Sequence, residues 1–225
     1  MKRLRLVRPR AKLRVKARMR AGHAQDVLDA VQVVSSLKDA FKDVDLSVGT
    51  TAQRARSLYR ILRRPSTPEE LAMNLEGVDG TVALVFGREG TGLTNAELDL
   101  CDMVLTIPAS AEYPTLNVSH AAAAIFYELY TWPRSGPREL LADEKVKESA
   151  LMFLGEAAGS AGLADRERGL VLRAFKNVMG RSAIRAREAS ALTGALRAIA
   201  TSLASRDVPF SSVDSRLNLA SEIEV

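Results

Sequence analysis

The sequence predicts an α/β fold, a parallel sheet with helical crossovers, followed by a small all-α unit. Three observations predict it. Short apolar or β-branched runs at Val44 to Val48, Val78 to Phe86 and Met103 to Pro108 alternate with segments of helical period. Val82-Ala83-Leu84-Val85-Phe86 is nearly all apolar, as expected of a strand covered on both faces in a parallel sheet. Pro133, Gly136 and Pro137 then break the chain after Trp132, and from Arg138 onward only helical periodicity remains. These features divide the chain into an α/β domain at 1–134, a helical extension at 135–205 and a tail at 206–225. Strands wound by right-handed crossovers place a ligand crevice beyond their carboxyl ends.

The elements follow in order. Leu4, Leu6 and Val7 ahead of Pro9 suit a short strand with a proline stop. From His23 to Val34, Val27, Leu28, Val31 and Val34 recur at helical steps, and Leu37, Ala40 and Phe41 continue the pattern after a break. The strand at Val44 to Val48 runs into Gly49-Thr50-Thr51-Ala52, a loop whose bare backbone and short hydroxyls suit a ligand. Thr67-Pro68-Glu69-Glu70 opens a helix, Thr94 to Leu98 a shorter one, and Ser119 to Tyr130 a third. Leu140–Ser160, Asp165–Met179 and Arg187–Ser202 fit three amphipathic helices, and the tail from Arg206 reads as loosely held.

Composition narrows the function classes. The formal charge is only +5, but residues 1–20 carry Lys or Arg at ten positions and no acid. Such a stripe suits a polyanion, with affinity falling by roughly 0.7–0.9 log units per neutralised phosphate for each decade of salt; the alternative is a solvated terminal arm. Cys101 is the only cysteine, which rules out an internal disulfide and points to a reducing cytoplasm. Apolar runs fall short of the ~20 residues that cross a bilayer, so a soluble protein without membrane contact is expected. His23, His120 and Cys101 are scattered, so no metal is expected. His120, at a helix start, reads as a packing or capping residue.

Chemistry concentrates in two stretches. The first, Leu84-Val85-Phe86-Gly87-Arg88-Glu89-Gly90-Thr91-Gly92-Leu93-Thr94-Asn95, is a buried strand ending in a loop with three glycines, which lets backbone amides approach a ligand. Gly87 and Gly92 have the spacing of a P-loop, but Leu93 stands where that motif needs its lysine, which argues against a nucleoside triphosphate. The second, Ile107-Pro108-Ala109-Ser110-Ala111-Glu112-Tyr113-Pro114-Thr115-Leu116-Asn117-Val118-Ser119, is a polar loop with two prolines between a strand and a helix. It reads either as a ligand-gripping loop or as a helix entry capped by Asn117 or Ser119.

Together, Phe-Gly-Arg-Glu-x-x-Gly-Leu-Thr-Asn and the later Ile-Pro…Glu-Tyr-Pro-Thr-Leu-Asn-Val-Ser closely resemble motifs 2 and 3 of SpoU-type RNA 2′-O-methyltransferases of the SPOUT class. The phrase Glu-Tyr-Pro-Thr-Leu-Asn is similar to that of the TrmJ-type tRNA (cytidine/uridine-2′-O-)-methyltransferases in particular. Gly49-Thr50-Thr51-Ala52-Gln53-Arg54 resembles their cofactor loop, and Leu172 to Phe175 with Leu192 to Arg197 their C-terminal extension. The resemblance spans about Leu4 to Leu203. It implies a C-terminal trefoil knot, S-adenosyl-L-methionine as cofactor, RNA and most of all tRNA as substrate, and a homodimer whose subunits jointly complete each RNA site. On the same analogy Thr50, Thr51, Ala52, Gly87, Ile107, Thr115 and Leu116 line the cofactor pocket. Glu89, Asn117 and Thr115 organise catalysis, with Thr115 in place of a common serine. Arg88 either grips a substrate phosphate or pairs structurally with a neighbour.

The resemblance departs at the family's first motif, a strand and helix carrying an asparagine and a catalytic arginine, for which there is no room ahead of Leu4. The expectation is a mis-set start or truncation, or a shortened homologue, with a weakly active or inactive 225-residue form. Arg8, Arg10 or Arg14 would be stand-ins for the arginine and RNA contacts. Two other readings compete. One is an RNA-binding scaffold that binds without turnover, against which the retained Gly87, Glu89, Thr115 and Asn117 speak. The other is a structural oligomer pairing through the apolar helix Ala121–Tyr130, which leaves the basic stripe unexplained.

Overall fold

The computed structural model describes residues 3–10, 15–52, 65–110, 112–133 and 138–205. The chain opens with strand β1 (Arg5–Val7), helices α1 (Val15–Ala21) and α2 (Gln25–Asp29), strand β2 (Gln32–Val34) and the single turn α3 (Leu37–Ala40). The helical period read from His23 to Val34 holds only as far as Asp29. Ala30 closes α2, and Gln32-Val33-Val34 instead pairs in parallel with β1, Arg5 opposite Gln32. Stiff valines favour an extended ribbon, and pairing outweighs the apolar period. Arg5 reaches the Ala40 carbonyl at 2.6 Å and the Asp43 carboxylate at 2.8 Å, and Arg3 also meets Asp43. Hydrogen bonds from Arg5, working against slight burial, hold the Asp43 carboxyl well below the usual carboxylate range. Part of the basic N-terminal stretch is therefore occupied within the chain.

The main sheet is built from β3 (Leu46–Thr50), β5 (Val82–Val85) and β6 (Met103–Leu105), parallel and in the order β5-β3-β6. Between them lie α4 (Pro68–Asn74), β4 (Val78–Asp79) and α5 (Asn95–Leu100), and α6 (Val118–Thr131) follows. Both α4 and α5 begin with a reciprocal capping box, Thr67 with Glu70 and Thr94 with Glu97, which satisfies amides that a helix start leaves open. The single strand expected over Val78 to Phe86 is two. The Asp45 carboxylate accepts the Thr81 amide at 2.7 Å and interrupts the ladder there. β5 is also only half-buried, because it lies at one side of the sheet with β3 as its neighbour.

Beyond 138 come β7 (Glu139–Leu140), paired with β4, and helices α7 (Glu144–Ser160), α8 (Asp165–Arg181) and α9 (Ala186–Ala204). The first of these helices starts later than its apolar pattern suggested, because Asp143 caps it by accepting the Lys145 amide at 2.7 Å and Leu140 joins a strand. One apolar core gathers Leu46, Val48, Leu71, Met103, Leu105 and Ile125, and also takes Leu141 and Ala183 from the helical extension. A second core, with Ala150, Met179, Ile184 and Ala189, lies among α7–α9. A buried polar link ties the two parts together. Lys147, 6% exposed, donates to the Asp45 carbonyl at 2.8 Å and to Asp102 at 3.1 Å. Asp102 in turn accepts the Ser47 amide and hydroxyl at 2.8 and 2.7 Å. Burial acts against the Lys147 ammonium, yet Asp102 and Glu144 together hold its pKa above the ordinary value. Among the described residues, no helix is long and apolar enough to cross a membrane. The tail from Arg206 lies outside the described residues.

Candidate functional site

The carboxyl end of β3 is tied to both neighbouring strands, the Thr50 hydroxyl donating to the Val85 carbonyl at 2.9 Å and the Thr51 amide to the Leu105 carbonyl at 2.9 Å. The chain leaving β5 then turns tightly. A Cβ on Gly87 would lie 2.1 Å from the Gly92 carbonyl carbon and 2.3 Å from the Leu93 nitrogen, so only glycine fits where the loop passes its own backbone. Arg88 and Gly92 exchange backbone bonds at 2.9 and 3.3 Å, and Gly90 and Gly92 take positive φ to close the turn. Outside the turn, the Arg88 guanidinium grips Glu97 through two bonds of 2.7 and 3.0 Å. Led by that bond and opposed by partial burial, the Glu97 carboxyl is lowered to about 2.

The second loop descends from β6 through Ile107 to Asn117, which caps α6 by accepting from the Ser119 amide at 2.9 Å and hydroxyl at 2.6 Å. Its other end is turned to the first loop, since the Asn117 amide nitrogen donates to Glu89 at 3.2 Å. The helix-entry reading of this loop thus holds at Asn117, which also bridges to the first loop. Between the loops and the end of β3 opens a cleft of about 620 Å³. Its walls include Thr50, Thr51, Ala52, Gly87, Ile107, Thr115 and Leu116, together with Glu89, Asn117 and Arg88. Each residue expected of the pocket from sequence is thus on one surface.

Arg8 and Arg10 are exposed and are not among the residues lining the cleft, and Arg14, Gln53 and Arg54 lie outside the described residues. Arg88 pairs with Glu97, nine positions on, which is the structural pairing weighed against a phosphate grip. Sequence reasoning missed the apolar floor, Phe86 and Ile125, with Phe86 edge-on to Phe126 at 6.4 Å between ring centroids. The apolar run next to Gly87 was the available signal. It also missed Glu97, whose signal was the Thr-x-x-Glu box at Thr94. No group of three or more His, Cys, Asp or Glu side chains suited to a metal occurs among the described residues.

Residues 1–127, more than half of the chain, match the SpoU rRNA Methylase family. The chain belongs to that family. This SpoU-family chain is 41% identical over 130 residues to the tRNA (cytidine-2′-O-)-methyltransferase TrmJ of Methanocaldococcus jannaschii, covering 57% of this chain and 55% of that protein. It is 38% identical over 136 residues to the uncharacterized tRNA/rRNA methyltransferase LasT of Serratia marcescens, covering 60% of this chain and 69% of that one. The chain spans about half the length of most curated relatives it matches. The crystal structure of TrmJ from Z. mobilis ZM4 superposes with a TM-score of 0.64 at 23% identity, covering 88% of this chain and 87% of that one. That likeness is one of fold, and its extent takes in more than the α/β part.

Proposed function

We propose that this SpoU-family chain binds S-adenosyl-L-methionine in the cleft between the two loops and methylates a ribose 2′-hydroxyl of RNA, with tRNA as the substrate. One observation carries the reading: Glu89 and Asn117, from different loops, meet at 3.2 Å over a cleft walled by Thr50, Gly87, Ile107 and Leu116. The lining fits the cofactor's chemistry. Apolar side chains offer faces for a purine, while the Thr51 and Thr115 hydroxyls and glycine-loop backbone offer polar partners to a ribose. When bound, the cofactor supplies an electrophilic methyl carbon on a sulfonium. The chain's own task is positioning, with Glu89 and Asn117 fixing the two loops against each other, and Thr115 on the cleft wall beside them, so that a ribose is held in line. A ribose target also separates RNA from DNA, since only RNA carries the 2′-hydroxyl.

The tRNA substrate is supported by the name of the M. jannaschii relative. The finer parts of this reading are a trefoil knot, compatible with the parallel order β5-β3-β6, a homodimer, and a cytoplasmic location. Exposed Arg8 and Arg10 would approach RNA phosphates from outside the cleft, Arg14 would be a further RNA contact, and the division at residue 134 would separate the catalytic part from the extension.

Two measurements on the purified chain test the proposal: calorimetry with S-adenosylmethionine and its demethylated product, and transfer of labelled methyl to tRNA followed by nuclease digestion. Uptake is expected, with label on a ribose at a low rate, in keeping with the weak activity expected of this 225-residue form. No uptake would remove the cofactor reading, and uptake without transfer to any RNA would leave an RNA-binding homologue that retains the pocket.

A further inference from the structure

Arg88 sits on the rim of the cleft, where a lone arginine would be expected to face substrate phosphate, yet its guanidinium is turned away and held. Glu97 receives both of its terminal nitrogens, at 2.7 and 3.0 Å, in the two-pronged geometry that makes arginine–carboxylate pairs strong and directional. The same carboxylate accepts the Thr94 amide at 2.8 Å and its hydroxyl at 2.9 Å, so it is itself fixed to the first turn of α5. Its side chain is 19% exposed while that of Arg88 is 52% exposed, so the more sheltered partner is the anchor. The loop tip carrying Glu89 is the three-residue segment closed by the two backbone bonds that join Arg88 and Gly92. Gly87, immediately before, passes so close to Gly92 and Leu93 that a side chain there would overlap their backbone.

We propose that Glu97 is a positioning residue for the cleft: by holding Arg88 from outside, it keeps the Arg88–Gly92 turn closed and sets Glu89 where it meets Asn117. Arg88 then works as a latch within the protein and not as an RNA contact. Glu97 touches neither cofactor nor RNA and acts through Arg88. The cofactor-affinity part of this inference rests on the proposed methyltransferase reading; the latch itself does not. Both partners are charged at any physiological pH, since the bonds from Arg88 hold the Glu97 carboxyl down at about 2.

The test is a double-mutant cycle with Arg88→Gln, Glu97→Gln and both together. Glutamine at 97 keeps an oxygen for the Thr94 amide, and Arg88→Gln leaves the capping box untouched, so one variant folds even if the other does not. The first readout is amide hydrogen exchange of Gly92 in the ligand-free protein, whose N–H donates to the Arg88 carbonyl. Each single variant should speed it about fivefold, the scale of one well-formed exposed ion pair, and the double should be no faster than either. Unchanged exchange, or single effects that multiply in the double, would overturn the latch. The second readout is calorimetry with the demethylated cofactor, in which the same non-additive pattern of weaker affinity is expected. If the unaltered chain takes up no cofactor, the function proposal fails while the exchange arm still decides the latch. The third is the salt dependence of tRNA binding. Arg88→Gln should leave its slope unchanged, and a slope smaller by about one would make Arg88 a phosphate contact and overturn the inward role.

Discussion

Gly87 is the residue at which geometry is least forgiving. A methyl group there would overlap backbone atoms, which cannot swing aside as a side-chain end can. Gly87→Ala should therefore cost about 1–3 kcal/mol, as overpacking does. Gly90→Ala, in open space at φ +83, should cost about 1 kcal/mol for its backbone conformation alone. Thermal denaturation of both variants checks the order, and equal losses would mean that the loop relaxes around the added methyl. That Gly87, Glu89, Thr115 and Asn117 would lie on one cleft was legible in the sequence, because motif chemistry fixes residue types at short range. Glu97 was not, since its partner Arg88 is nine positions away and only the folded turn brings them together.

At the scale of elements, α6 and the loop before it share one residue. Asn117 caps the helix with its oxygen and bridges to Glu89 with its nitrogen, so the two tasks can be separated by substitution. Asn117→Ser retains a capping oxygen and should stay within about 0.5 kcal/mol of the parent, whereas Asn117→Ala should lose about 1 kcal/mol. Both lose the bridge, and calorimetry should find both equally weakened toward the cofactor. If the serine variant bound as the parent does, the bridge would play no part in holding the site. Helices announced by capping signals, such as Thr67 to Asn74 and Thr94 to Leu100, were readable because the cap is local. Elements decided by a partner were not. Gln32–Val34 carries an apolar period but is claimed by β1, and Val78 to Phe86 is divided by a carboxylate from Asp45.

Across the whole molecule, the sheet and the helical extension are joined by a buried charge. Lys147 reaches from α7 to Asp102 and the Asp45 carbonyl, at the ends of β3 and β6 opposite to the cleft. Lys147→Met leaves Asp102 buried with only its Ser47 partners and should cost about 3 kcal/mol in urea denaturation. Adding Asp102→Asn removes the stranded charge, so the double variant should be the more stable of the two; the reverse order would show that the ammonium contributes little. The three long helices after Asp143 were plain from periodicity, but the short strand β7 ahead of them was not. That Leu141 and Ala183 would enter the first core was not, because long-range packing leaves no local mark.

Cys101 closes the turn between α5 and β6, buried, with its sulfur 3.0 Å from where a side chain on Gly49 would begin. A thiol so placed reacts with an alkylating reagent only when the packing of α5 against the sheet opens, since a reagent needs both access and thiolate. As the chain's sole cysteine, it serves as a native clock. The rate at which it is modified reports how often the packing around Gly49 and Leu98 opens, with no introduced label.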